Sequence, residues 1–89
     1  MIQIKYKNLE FKEALGNLTQ FKHQIKLPEW SGYWFYFEDT IYVMFSSGEV
    51  EKLKDAFSIF DMLGHTFRND WISFTDAQHN HRIKEAFKK

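Results

Sequence analysis

The sequence predicts an α+β domain: a small antiparallel sheet with a helix packed on one face. Three observations carry that expectation. Runs near the N-terminus, in the middle and near residue 71 alternate or cluster apolar residues at the period-two spacing of strands. Two other stretches repeat apolar residues every three to four positions, the spacing of an amphipathic helix. At 89 residues the chain is short enough for one domain, 1–89.

Ile2, Ile4 and Tyr6 alternate with Gln3, Lys5 and Lys7, which predicts a half-buried strand. Asn8 then offers an N-cap, and Phe11, Ala14, Leu15, Leu18 and Phe21 define a helix from about Leu9 to Phe21. Gln24 to Leu27 reads as a short strand stopped by Pro28, which biases Leu27 toward extended geometry. After a turn at Ser31-Gly32, Tyr33–Phe37 and Thr40–Phe45 form two β-prone runs. Only Glu38-Asp39 separates them, so they predict an antiparallel hairpin. Ser46-Ser47-Gly48-Glu49 supplies turn chemistry, and Val50 to Ala56 reads as a loop or a helical turn. Ile59, Phe60, Leu63 and Phe67 form a second helical stripe capped by Ser58. A last strand follows from Trp71, and Asp76 caps a short C-terminal helix over about 76–89. Lys84, Lys88 and Lys89 fall at its negative end.

The hairpin is apolar on both sides. Tyr33, Phe35 and Phe37 point one way and Trp34 and Tyr36 the other. The helix bearing Phe11, Leu15 and Leu18 can cover one face, and the helix from Ile59 to Phe67 part of the second. Seventeen aromatic residues, ten of them Phe, make up 19% of the chain, about twice an ordinary share. A domain this small cannot hide them all, so surplus rings predict a homo-oligomer through an aromatic face, with room for a ligand pocket at the same seam.

Several classes are disfavoured. Twelve basic residues balance twelve acidic ones, so the basic excess of a DNA or RNA binder is missing. There is no cysteine for a disulfide or thiolate site, no apolar run long enough for a membrane span, and no signal-peptide pattern at the start. His79-Asn80-His81 is the obvious metal candidate. On a helix, however, residues two apart do not face each other, so both read as surface histidines. Glu49, Glu51, Asp55, Asp61 and Asp70 read as a solvated charged face, with no phosphate loop or nucleophile elbow nearby. No catalytic residue, metal or cofactor is therefore expected.

Two segments carry recognition chemistry. Trp30, Tyr33 and Trp34 gather around a turn at the head of the hairpin, and Arg68-Asn69-Asp70-Trp71 sets a cation, an amide, a carboxylate and an indole together. Indoles stack on purines, Asn pairs with an adenine edge, Asp accepts ribose hydroxyls and Arg meets phosphate bidentately. The same residues also suit a plainer structure, with core indoles flanked by caps and turns.

Read in order, Phe11-x-Glu13-Ala14-Leu15, Trp30-x-Gly32, Thr40-Ile41-Tyr42-Val43-Met44, Ser47-Gly48-Glu49, Asp61-Met62-Leu63 and Asp70-Trp71 resemble a family of small phage-encoded domains. That family includes the second class of Thoeris anti-defence proteins. The resemblance spans about 9–75. It departs at Leu27, where many members carry Arg, in the longer step through Gly64 to Asn69, and in the C-terminal helix, which reads as an addition. The resemblance implies a sponge that binds glycocyclic ADP-ribose, a cyclic nucleotide immune signal, in the host bacterial cytoplasm without cleaving it. It implies a homo-oligomer, dimer or tetramer, with pockets between subunits. Carried over by motif, Trp30 and Trp71 belong to the pocket, with Asn69 and Asp70 beside the second; Tyr33, Trp34 and Arg68 follow by proximity. The runner-up is a protein-directed inhibitor such as an anti-CRISPR, which the same family also implies.

Overall fold

Tyr33–Phe37 (β3) and Thr40–Met44 (β4) pair from Tyr33 opposite Met44 to Phe37 opposite Thr40, and this hairpin is the spine of the computed structural model, which describes residues 2–87. Its two turn residues, Glu38 and Asp39, both have positive φ (48° and 61°), the mirror-image geometry whose twist matches the strands. Around the hairpin lie Ile2–Leu9 (β1), Phe11–Gln20 (α1), Gln24–Lys26 (β2), Val50–Lys52 (β5), Leu53–Ala56 (α2), Ile59–Thr66 (α3), Trp71–Asp76 (β6) and His79–Ala86 (α4). The six strands form one antiparallel sheet in the order β1-β6-β2-β3-β4-β5.

The α+β class and the antiparallel sheet stand as expected; the distribution of helices does not. α1 packs on one face with Ala14 and Leu18 fully buried, over Ile25, Trp34, Val43 and Trp71. Met62 of α3 and Leu53 and Ala56 of α2 join that same cluster. The second face, with Tyr33, Phe35, Met44 and Phe74, is covered by α4 through His79, Ile83 and Phe87. The cover expected from Ile59 to Phe67 is therefore on the other side, and the C-terminal helix covers the second face. The sheet carries helices on both faces.

Smaller corrections have local causes. Asn8 does not cap α1: it lies in β1 with φ 55°, a left-handed conformation that Asn tolerates. Leu9 completes β1, and Glu10 is the N-cap, its amide donating to Glu13 Oε1 at 3.1 Å. β1 is exposed rather than half-buried up to Leu9. A register shift sets Ile4 opposite Phe74 but Tyr6 opposite Ser73, on the other face. Within 50–56, Val50–Lys52 is an edge strand before the helical turn. Asp76 ends β6, and Gln78 is the N-cap of α4. Lys88 and Lys89 lie outside the described residues. The Ser58 cap of α3 is present: its hydroxyl accepts from the Asp61 amide at 3.1 Å, and its own amide donates to Asp61 Oδ2 at 3.3 Å.

Candidate functional site

Three indoles converge on the α1 face. Trp34 and Trp71 have no exposed surface, and their ring centroids are 5.1 Å apart. Trp30, on the loop between β2 and β3, stands edge-on to Trp71 at 5.4 Å and tilted against Trp34 at 5.5 Å. Phe57 stacks on Trp30 at 5.8 Å, and the His65 ring meets it edge-on at 5.1 Å. The Trp71 indole N–H donates to the His65 carbonyl at 3.1 Å. The Trp34 indole N–H is buried with no partner among the described residues. A buried donor left unpaired costs about 1–3 kcal/mol.

A groove of about 320 Å³ opens at this point, with Trp30, Trp34, Phe57, Gly32 and Phe45 among its walls. Trp30 is its half-buried wall and Trp34 its buried one. Its residues are held from several sides before any ligand arrives. Lys26 Nζ donates to the Trp30 carbonyl at 2.7 Å. Gly32 sits so close to the Met44 carbonyl oxygen that any Cβ would collide with it.

Arg68, Asn69 and Asp70 adjoin the groove without lining it. The Arg68 guanidinium donates to Asp70 through Nε at 3.0 Å and Nη2 at 2.5 Å, and to Glu29 through Nη2 at 2.9 Å and through Nη1. These bonds hold the Glu29 and Asp70 carboxyls below their usual range and Arg68 above its own. The fork expected to meet a phosphate is thus filled by two carboxylates, and the cluster carries a net negative charge. It ties the loop beside Trp30 to the residue before Trp71 and so positions the groove. Asn69 is exposed beside it.

Tyr33 is the one predicted site residue whose ring lies on the opposite face. It packs edge-on against Phe74 and His79. Its hydroxyl is 2.8 Å from His79 Nδ1, within hydrogen-bond distance, and the Arg82 charge lies near it. His79 is buried, which corrects its reading as a surface histidine; burial is also the main cause that holds its pKa below the usual 6.5. Burial raises the Tyr33 phenol. Arg82 Nη1 donates to Asp76 Oδ2 at 2.9 Å. No group of three or more His, Cys, Asp or Glu residues is placed to hold a metal among the described residues.

The structure thus brings Trp30, Trp34 and Trp71 together, fastens Trp30 and Trp71 through Arg68 and Asp70, and separates off the Tyr33 ring. Phe57, Lys26, His79 and Arg82 were not foreseen. The one signal for the last pair was the spacing of His79, Ile83 and Phe87, every fourth residue on one face of a helix. The fold and groove define a small six-stranded antiparallel domain with an aromatic cleft at one end of its hairpin. Compared with family models, curated proteins and solved structures, the chain matches none. No helix among the described residues is long and apolar enough to cross a membrane.

Proposed function

We propose that this protein is a non-catalytic binder that sequesters a cyclic nucleotide signal of the cyclic ADP-ribose type, acting as a phage anti-defence protein in the host cytoplasm. The observation that carries the reading is the groove itself. A rigid, half-exposed indole stands beside a buried one, and a nucleobase offers a flat face to stack on the exposed ring. The motifs shared with the second class of Thoeris anti-defence proteins support the choice of ligand. Holding a ligand without turnover needs a preformed site, and the clamp of Glu29, Arg68 and Asp70 supplies rigidity at low cost on binding.

The test is a thermal-shift screen of the purified protein against cyclic ADP-ribose isomers, followed by heat denaturation and mass analysis of the released molecule. A saturable shift with intact recovery is expected; recovery of a cleaved product means an enzyme, and the reading falls. Trp30→Ala should weaken binding about 5- to 150-fold, the worth of one stacking contact.

Self-association belongs to the same proposal, through a different surface from the one expected. The aromatic face of the hairpin is covered by α4, whereas α3 leaves Ile59, Phe60, Leu63 and Phe67 at 78%, 86%, 49% and 84% exposure. With aromatic side chains offering roughly 150–250 Å² each, this patch opens on the order of 600 Å². Two copies face to face would bury about 1,200 Å², within the range of specific interfaces. Light scattering should report a dimer or larger, and Phe60→Glu with Phe67→Glu a monomer. The same patch favours one second reading, a protein-directed inhibitor: a wild-type chain that is monomeric and binds no nucleotide would select it.

A further inference from the structure

On the α4 side of the same hairpin end lies a second cavity of about 310 Å³, which the reading above does not use. Lys26, Arg82, Asp76, Tyr33 and the Ser46-Ser47-Gly48 turn are among its walls. It shares Ser31, Gly32, Tyr33, Met44, Phe45 and Ser46 with the tryptophan groove. The two depressions therefore meet across the rim that Gly32 keeps free of a side chain, with aromatic walls on one side and charged walls on the other.

Its charge can be counted. Lys26 and Arg82 contribute two positive charges. Asp76 contributes one negative charge: burial pushes its carboxyl up, but the Gln78 amide and the nearby Arg82 charge outweigh that and leave it below its usual range. The Tyr33 phenol is raised and stays neutral, and so does the buried imidazole behind it. Among the described lining residues the sum is one excess positive charge beside a hydroxyl turn. Arg68, the cation of the Glu29–Asp70 cluster, is occupied by two carboxylates. Lys26 by contrast spends one of its three N–H donors on the Trp30 carbonyl.

We infer that this cavity is the anion subsite of the ligand whose base the tryptophan groove takes, with Lys26 and Arg82 meeting a phosphate or diphosphate. The inference rests on the proposed function and names which residues take the charged half of the molecule. Lys26 couples the halves directly, because the same ammonium touches the Trp30 backbone and lines the charged cavity.

The experiment titrates the whole chain with cyclic ADP-ribose and, separately, with inorganic pyrophosphate. It follows calorimetry and the backbone amide signals of Gly32 and Ser46 to Gly48. Expected is competition between the two probes, with pyrophosphate shifting those amides. Lys26→Gln and Arg82→Gln should each weaken cyclic ADP-ribose at least about tenfold, as lost charge-assisted bonds do. Lys26→Gln leaves the Arg82–Asp76 pair intact, so it reports even where Arg82→Gln unfolds α4. If Trp30→Ala weakens cyclic ADP-ribose while Lys26→Gln binds both probes as wild type does, the subsite is overturned and the function stands. If pyrophosphate binds in a Lys26-dependent way but no nucleotide does, the anion site stands and the nucleotide reading falls. If neither probe binds the wild-type chain, both fall.

Discussion

The two faces of this sheet bury aromatic rings in different ways. Under α1 and α3 the rings are indoles, packed on one another with almost no polar chemistry; the Trp71 N–H reaches one backbone carbonyl and the Trp34 N–H reaches none. Under α4 the rings surround polar pairs, Tyr33 with His79 and Arg82 with Asp76. The first face depends on shape and area, the second on proton placement. A sheet with two covered faces in so short a chain can afford little slack on either, so each should fail in its own manner.

The largest expected effect is on the indole face. Trp34→Ala or Trp71→Ala should cost about 3–5 kcal/mol in urea unfolding, enough to unfold a small domain outright. Milder changes sharpen the contrast within that face. Trp71→Phe abandons the His65 carbonyl, whereas Trp34→Phe removes a donor that had no partner; the first should be less stable than the second by about 1–3 kcal/mol. Equal midpoints would show that the unpaired N–H carries no penalty.

Both faces should respond to pH, the α4 face through His79 and the α1 face through His23, whose Nδ1 lies 2.7 Å from Ser73 Oγ. His79 has a folded pKa below its usual 6.5, and so has His23, through burial first and the Lys5 charge second. As pH falls below 6.5 the unfolded chain takes up protons that the folded chain refuses, so stability is full above that value and declines below it. Urea midpoints at pH 7 and pH 5 should show the loss. His79→Asn, which does not titrate, should reduce it and leave the part that His23 carries. The smallest effect belongs to the turn between the faces: Glu38→Asn with Asp39→Gly relaxes two positive-φ residues and should raise stability by about 0.5–1 kcal/mol.

Much of the frame was legible because it rests on local patterns. Twelve consecutive β-prone or turn-forming positions announce the hairpin, and Ser58 with Asp61 announces the start of α3. What stayed hidden depends on distant partners. The three charged residues of His79–Ala86 mask a stripe whose meaning comes only from Tyr33 and Phe35, more than 40 residues away in the chain. β5 is three residues long, two of them charged, and holds its place through β4. The grouping of Trp30, Trp34 and Trp71 was readable as a cluster of recognition residues. That Trp34 and Trp71 are sealed, and that Glu29 fills the fork of Arg68 from the far end of a loop, are facts of tertiary packing.

The shifted register of β1 has a consequence for crowded conditions. An open strand edge is a template on which a second chain can grow, and β1 displays Ile2 and Ile4 beside just such an edge. Two interruptions in its ladder, the left-handed Asn8 and the charged pair Lys5 and Lys7 break the straight, flat row that stacking requires. The irregular first strand thereby closes a route to fibrous growth along that edge.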